Sequence, residues 1–217
     1  MEDRQTAALW LELAAADPAA YARDRVDDVA ARPGVARASW WTNQCPDRTD
    51  LPRRLPEFAT LGVYELDDGF SPPPPAEGVT GLHLARTPRP GQGTLGGDAT
   101  TGLLLVLISP KDPARAQELR DWGDFVHLRH IAEAAVPGYR MITPYEQVGG
   151  HSGDPDEGPR FLHLYEMHSD DPEATYRSMT PMVRERLHPA AFDAWAWHPQ
   201  LRIDYVNTFA LAGEAAG

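Results

Sequence analysis

The chain has 217 residues, of which 42% are hydrophobic, so it can bury a sizeable core in one large domain or two small ones. Its formal net charge of -12 at pH 7 repels phosphate backbones and anionic lipid surfaces, which disfavours nucleic-acid and membrane binding. The single cysteine, Cys45, excludes an intrachain disulfide, and the N-terminus lacks the pattern of a signal peptide, so we expect a cytoplasmic protein.

The first half predicts alternating strands and helices. Apolar residues alternate at positions 8–14, which indicates a strand. Asp17-Pro18 suits the N-cap and first turn of a helix that should run to about Arg32. Three more strands are predicted at residues 35–42, 59–66 and 81–86. The proline run at 72–75 cannot form a helix, so the connection before the last strand should be extended.

The second half predicts a fuller set of elements. The apolar strand at 101–109 should be buried on both faces, and Asp112-Pro113 should start a helix that reaches about Ala135. Further strands are predicted at residues 139–147, 161–168 and 201–211, with a Gly- and Asp-rich loop at 149–159. A helical region should start at Pro172, with interruptions at Pro181 and Pro189.

The two halves carry the same markers in the same order, which indicates an internal duplication. The segment Leu-Gly-Val-Tyr-Glu-Leu at 61–66 reappears as Leu-His-Leu-Tyr-Glu-Met at 162–167, and Asp-Pro and Pro-Gly steps precede both copies. Each half follows the order strand, helix, strand, strand, helix, strand of the ferredoxin-like unit, except that prolines replace the second helix of the first half.

We therefore predict an α+β fold of two tandem ferredoxin-like units. The N-terminal half should cover 1–90, a Gly-rich linker 91–99 and the C-terminal half 100–217. Helices cover only one face of each antiparallel sheet, so the open faces should be buried against each other as an α/β barrel. One chain can complete this barrel alone, which leaves open whether two chains associate as a homodimer.

A family resemblance supports this fold for residues 100–211. Three segments resemble the dimeric α/β-barrel superfamily and, within it, EthD-like proteins: 122–131, 136–139 and 161–167. His130-Ile131 matches a His-Ile step of that family, whereas His127 stands where an acidic residue usually lies. The resemblance implies two facing sheets that enclose a largely apolar cavity. The superfamily contains cofactor-independent oxygenases, polyketide cyclases, lactone isomerases and haem-binding enzymes, so the fold alone does not select a reaction.

Four polar side chains are candidate catalytic groups. His130 and His163 could act as a general base, because imidazole titrates near neutral pH. His163 occupies the strand position that Gly62 holds in the first half, as expected if one half has specialised. Tyr165 shares a strand face with His163 and could hold an anion, and His127 is a further catalytic candidate. Each of these residues could instead have a packing role in the core.

Large apolar side chains are candidates for substrate binding. These residues are Trp122, Tyr145, Trp41, Phe161 and Met167. An alternative is that they belong to the core, as aromatic residues on strands usually do. We expect no metal site, because no His-x-Glu-x-x-His motif, cysteine pair or EF-hand loop is present. We expect no resident cofactor, although haem with one axial histidine, or a two-histidine metal site, stays an alternative.

The sequence predicts an enzyme acting on a hydrophobic aromatic or polyketide-like small molecule. Proton abstraction in the enclosed barrel cavity would lead to oxygenation, cyclisation or rearrangement, as in a cofactor-independent monooxygenase or a cyclase. Two alternatives stay open, a non-catalytic protein that binds a hydrophobic ligand and a haem-binding tandem ferredoxin-like enzyme. The identity of the substrate does not follow from the sequence.

Overall fold

A computed structural model describes residues 6–151 and 159–216. The N-terminal residues on which the signal-peptide expectation depends, and most of the predicted loop at 149–159, lie outside the described residues. Nine strands occur in the part described: β1 Ala8–Ala14, β2 Val35–Asn43, β3 Thr60–Leu66, β4 Val79–Arg86, β5 Gln92–Gly93, β6 Gly102–Pro110, β7 Tyr139–Gly150, β8 Phe161–Met167 and β9 Leu201–Ala216.

The strands form one antiparallel β-barrel. Their order is β4-β1-β3-β2-β9-β6-β8-β7-β5, and an additional pairing of β4 with β7 closes eight strands into a ring. Within each half the order is fourth, first, third, second, and the halves meet at β2–β9 and β4–β7. Equivalent residues also have equivalent partners, since Glu12 lies opposite Gly62 and Val106 lies opposite His163. The sequence repeat therefore corresponds to a repeat of topology.

The helices lie outside the barrel. Helix α1 covers residues 18–30, as Pro18–Tyr21, a π-helical turn Ala22–Val26 and Asp27–Ala30. Helix α2 covers residues 113–134, as Pro113–Arg115, Ala116–Trp122, a π-helical turn Gly123–His127 and Leu128–Ala134. Helices α3 and α4 are Pro172–Arg186 and Pro189–Ala196. The connection at 67–78 has no helix, and none of the described helices is both long and apolar enough to cross a membrane.

Local sequence signals define most helix ends. The carboxylate of Asp17 accepts hydrogen bonds from the amides of Ala19 and Ala20, and Asp112 caps α2 in the same way. The predicted interruption at Pro181 is wrong, because α3 continues through it to Arg186. Met179 and Val183 are buried on either side of Pro181, and this packing outweighs the missing backbone hydrogen bond.

Leucine side chains fill the interior of the barrel. On β1 and β6 every second residue points inward, namely Leu9, Leu11, Leu13, Leu103, Leu105 and Leu107, and all six are buried. Phe58, Tyr205 and Phe209 pack on these leucines as stacked rings. A void of about 40 Å³ remains near one end. The expectation of an enclosed cavity between the two sheets is therefore wrong, because the barrel interior is a packed core.

Trp41 and Tyr145, two predicted substrate-binding residues, also lie in this core. They occupy equivalent positions of the repeat, opposite Leu61 and Leu162. Both are at most 5% exposed, and both pack in the interior cluster of leucines. Their side chains border the small interior void, which is too small for an aromatic ligand. The structure thus places them away from any site of that size.

Candidate functional site

A mainly apolar cavity lies between the outer face of the second-half sheet and helices α2, α3 and α4. Its volume is about 360 Å³, within the range of small-molecule sites. The sheet supplies Leu104, Val106, Ile108, His163, Tyr165, Leu201, Ile203 and Val206. The helices supply Trp122, His127, Tyr176, Met179, Thr180, Arg184, Phe192, Trp195 and Ala196. Leu51, from the connection between β2 and β3, completes the lining.

His163 and Asp124 form a buried pair at the cavity. The Nε2 atom of His163 lies 3.4 Å from Oδ1 of Asp124, and both side chains are only 4% exposed. Apart from this contact, no polar partner of His163 exists among the described residues, which leaves its Nδ1 atom available to a ligand in the cavity that the residue lines. A carboxylate that holds one nitrogen of an imidazole fixes its tautomer and stabilises the imidazolium formed on proton uptake.

Asp124 is itself held by the first half of the chain. The guanidinium of Arg89 lies 3.3 Å from its second carboxylate oxygen and 2.6 Å from Asp121. Gly123 allows the close approach of His163, because a Cβ atom there would lie 2.9 Å from Cε1 of the imidazole. Two features therefore position the His163–Asp124 pair. Arg89 holds the carboxylate by an ion pair, and Gly123 leaves room for the imidazole because it has no side chain.

The π-helical turn Gly123–His127 delivers both Asp124 and His127 to the site. Such one-turn insertions widen a helix locally and are frequent at functional sites. The buried residues beyond this turn are Leu128, Ile131 and Ala134. His130 falls off that face, and its Nδ1 atom instead lies 3.1 Å from the exposed Glu133. The expectation that His130 faces the cavity is therefore wrong, because it assumed a helix of regular period.

His127 lies in an aromatic stack that lines the cavity. Its ring is parallel to Trp195 at 5.1 Å and lies 5.0 Å from Trp122. The Nδ1–H of His127 donates to the carbonyl of Trp195 at 3.0 Å, and the Trp195 indole donates to the carbonyl of His127 at 3.1 Å. The indole of Trp122 donates to the carbonyl of Ala194 at 2.7 Å. These contacts attach α4 to the π-helical turn.

Burial among these rings lowers the pKa of His127 from 6.5 to about 4. The native state thus resists protonation at pH values where an unfolded chain takes up a proton. The free energy of unfolding is therefore unaffected by this residue above pH 6.5 and decreases as the pH falls from 6.5 toward 4, because only the unfolded chain takes up the proton in that range. We expect the free energy of unfolding to be roughly 2 kcal/mol lower at pH 5 than at pH 8 from this residue.

Urea unfolding of the wild type and of His127→Asn at both pH values measures this contribution, because asparagine does not titrate. Other histidines contribute equally to both proteins and cancel in the comparison. The same pH dependence in both would show that His127 is not the residue that resists protonation.

Three tyrosines lie at or beside the cavity: Tyr165 and Tyr176 line it, and Tyr139 packs on Tyr165. Burial raises the pKa of Tyr165, so its hydroxyl stays a hydrogen-bond donor across the physiological range. That hydroxyl has no hydrogen bond within the part of the chain described. Tyr139 packs edge-on against Tyr165, and its buried hydroxyl also has no partner there. The guanidinium of Arg48 covers the ring of Tyr176 at 4.7 Å.

Arg184 is the only strongly charged lining residue among those described. The guanidinium of Arg184 lies 4.6 Å over the ring of Phe192, and its side chain is exposed. Leu51 reaches this region from a segment of the first half that is held by Arg48, which pairs with Glu173. The cavity therefore combines an apolar lining with two imidazoles, two phenols and one exposed cation.

The structure brings together four of the nine residues predicted for the site: Trp122, His127, His163 and Tyr165. Phe161 and Met167 lie on the same face of β8 but pack under the helices in the core, away from the lining. Sequence reasoning missed Asp124, although the family resemblance calls for an acidic residue on this helix. It also missed Trp195, Tyr176 and Arg184, for which the sequence carries no distinct signal.

The equivalent place in the first half is filled by side chains. A Cβ atom on Gly62 would lie 2.0 Å from the hydroxyl of Tyr21, so this tyrosine fills the space that His163 borders in the second half. The fully buried carboxylate of Glu12 accepts hydrogen bonds from Tyr21 at 2.9 Å and from Arg25 at 2.6 Å. The hydroxyls of Tyr21 and Tyr64 share a 2.7 Å hydrogen bond. The first half thus has a buried polar cluster at the place where the second half has the candidate site.

The described residues contain no group of three His, Cys, Asp or Glu side chains arranged to hold a metal ion. His127 and His163 border the same cavity, but their neighbours are a backbone carbonyl and a single carboxylate. The arrangement is suited to proton transfer and hydrogen bonding inside an apolar chamber.

Comparisons with known proteins support the fold. No protein-family model matches the sequence, and no curated protein matches it significantly. Among solved structures, an anthrone oxidase-like protein is similar at 12% identity with a TM-score of 0.58, covering 100% of this chain and 95% of the other. A protein from Fusobacterium nucleatum subsp. nucleatum named as a candidate monooxygenase aligns over 98% of this chain at 5% identity, with a TM-score of 0.49. At these identities the first likeness establishes a shared barrel fold.

Proposed function

We propose that the protein is a cofactor-independent oxygenase of hydrophobic, polycyclic phenols or related ketones. The observation that carries this proposal is the buried His163–Asp124 pair, whose imidazole borders an aromatic-walled cavity of about 360 Å³. A neutral imidazole beside a carboxylate is a competent general base. The likeness to an anthrone oxidase-like protein agrees with this chemistry.

In the proposed reaction, His163 removes a proton from an activated CH2 or phenol group of the substrate. The hydroxyl of Tyr165 donates to the developing oxyanion, which lowers the energy of the charged intermediate. The two residues are two positions apart on β8, so their side chains leave the sheet roughly 7 Å apart. This spacing suits a flat ring system whose acidic C–H and oxygen lie at opposite positions of one ring.

Dioxygen is the oxidant. The carbanion gives one electron to O2, and recombination of the radical with superoxide forms a carbon–oxygen bond. The imidazolium of His163 returns its proton to the peroxide, and loss of the second C–H proton with cleavage of the O–O bond releases water. The sum is a CH2 group plus O2 giving a carbonyl plus H2O, which needs no other reductant. Apolar walls exclude water and strengthen the polar contacts.

An assay with anthrone under air tests the proposal. We expect oxygen uptake with formation of the quinone in a one-to-one ratio, and no product under nitrogen. Product formed at the rate of the protein-free control would contradict the proposal, as would a product without oxygen consumption. Retention of anthrone binding without turnover would favour the alternative of a non-catalytic carrier. A Soret band in the purified protein or after haem addition would favour the haem alternative.

We further propose that the barrel is a tandem of two ferredoxin-like units at 1–90 and 100–217, joined by the linker 91–99. The identical strand order of the two halves supports this division. Because the first half supplies Arg89 and Leu51 to the site, the units act as one functional body. We also propose a cytoplasmic location and a homodimer, and light scattering tests the latter.

A further inference from the structure

We infer that His127 is a specificity-determining residue that accepts a hydrogen bond from a hydroxyl group of the substrate. The inference rests on the proposed function, since it assigns a second role in the same cavity. It divides the chemistry between two imidazoles, with His163 taking the reacting proton and His127 holding a hydroxyl that does not react.

The hydrogen bonds of His127 fix its tautomer. A carbonyl oxygen can only accept, so the 3.0 Å contact to Trp195 requires that Nδ1 carries the proton. In a neutral imidazole the Nε2 atom then has a lone pair and no hydrogen. The reciprocal bond from the Trp195 indole and the parallel stacking of the two rings hold the imidazole in this orientation.

The lone pair of Nε2 has no partner in the described residues. His127 borders the cavity, and its only hydrogen bonds there run through Nδ1 and through the backbone carbonyl. The pKa of about 4 keeps the ring neutral above pH 5, so Nε2 stays an acceptor. A bound ligand would displace water from this nitrogen. If the ligand offered no donor, the unpaired acceptor would lower the binding affinity, so the cavity should select ligands that bring an O–H group to Nε2.

The surroundings restrict what that group can be. Trp122 and Trp195 flank the imidazole as flat apolar walls, so the hydroxyl must lie in the plane of a flat ligand. A charged donor such as an ammonium would be desolvated here with no carboxylate among the described lining residues. A phenolic hydroxyl on a fused ring meets both conditions, and its methyl ether does not, because it lacks a donor.

Two variants separate the acceptor from the rest of the side chain. His127→Asn keeps an N–H near the position of Nδ1 for Trp195 and removes the acceptor at Nε2. His127→Gln can place its amide oxygen near the position of Nε2 and restore an acceptor. Thermal unfolding at pH 7 of both variants controls for damage to the stack.

Binding is measured by calorimetry under nitrogen, so that turnover does not contribute, with 2-naphthol and 2-methoxynaphthalene as probes. We expect the wild type and His127→Gln to bind the naphthol about tenfold or more tightly than the ether. His127→Asn should bind both within about threefold. A tenfold preference retained by His127→Asn, or the lack of a preference in a wild type that binds both probes, would overturn the inference.

The result also separates this inference from the proposed function. If neither probe binds the wild type, the cavity is not a site for aromatic ligands, and both proposals fail together. If both probes bind equally and anthrone is still oxidised, the proposed function stands, and only the role of His127 is lost.

Discussion

Replacement of His163 by glutamine should lower the rate of anthrone oxidation at least about a hundredfold, the usual scale for loss of a general base. Glutamine is similar in size and its amide can donate to Asp124, but it cannot take up a proton near neutral pH. Because the side chain at 163 is only 4% exposed and packs on Gly123, this variant preserves the cavity better than alanine would. The measurement is initial oxygen uptake at saturating anthrone.

Asp124→Asn provides the second arm of this experiment. Asparagine keeps the shape of the side chain but removes the charge that stabilises an imidazolium at His163. It should therefore lower turnover substantially while leaving the binding of a non-reacting aromatic ligand nearly unchanged. The change in the maximal rate, with little change in the affinity, marks a charge that acts on the transition state.

His130→Gln is the matched control on the same helix. His130 pairs with Glu133 at the surface and does not border the cavity, so this variant should turn over at the wild-type rate. A loss at His130 equal to that at His163 would show that removal of any imidazole from this region damages the fold. Wild-type rates in His163→Gln would eliminate the dyad as the base.

The barrel could be predicted from the sequence because two independent signals agree. Alternation at positions 8–14 and the continuous apolar run at 101–109 both indicate strands, and the repeat of the Tyr-Glu step at 64–65 and 165–166 implies that both halves share one topology. The four prolines at 72–75 correctly exclude a helix from the connection between β3 and β4. These features depend on local sequence and on backbone geometry.

The position of the cavity could not be predicted, because β6 and β8 are apolar on both faces. Leu103 and Leu104 look equivalent in sequence, yet one fills the barrel and the other borders the site. The alternation of odd and even positions on these strands therefore does not show which side chains point into the barrel and which point toward the helices. The prediction that Trp41 and Tyr145 belong to the site fails for the same reason, since the close packing of leucines leaves no room for a ligand between the sheets.

The remaining site residues depend on long-range contacts. Arg89 and Leu51 lie in connecting segments of the first half and contact the site in the second half. The hydrophobic periodicity of the sequence contains no information on such contacts. The π-helical turn changes the phase of α2, so His130 lies off the predicted face and Asp124 joins the site. A regular helical wheel cannot anticipate that insertion, although the glycine at 123 marks a place where a helix is locally weakened.

Replacement of Arg25 by methionine should destabilise the protein by about 3–5 kcal/mol, the cost of leaving a buried charge without its partner. The carboxylate of Glu12 is completely buried, and the Arg25 guanidinium, whose side chain is 15% exposed, is its only charged partner among the described residues. The Tyr21 hydroxyl and the Trp10 indole also donate to Glu12, but they are neutral and cannot balance its charge. Urea unfolding monitored by circular dichroism gives the free energy of unfolding.

Two further variants test this explanation. Glu12→Gln combined with Arg25→Met should recover much of the loss, because the double variant buries no charge while the introduced amide oxygen still accepts from Tyr21. Arg23→Met removes an exposed ion pair to Asp24 from the same helix and should leave the free energy of unfolding nearly unchanged. A small effect of Arg25→Met, or no recovery in the double variant, would show that Glu12 is not held as a buried charge.

The polar core around Glu12 also explains why the duplicated barrel has one such cavity beside His163 and no equivalent one beside Gly62. Glu12, Tyr21 and Arg25 fill the volume that lies beside Gly62, and the equivalent volume beside His163 is left open to a ligand. If the polar core of the first half serves stability alone, Arg25→Met should keep its turnover per folded molecule at temperatures below its unfolding transition. A loss of turnover by folded Arg25→Met would instead mean that the first half transmits its geometry to the site, with Arg89 at Asp124 as the direct route.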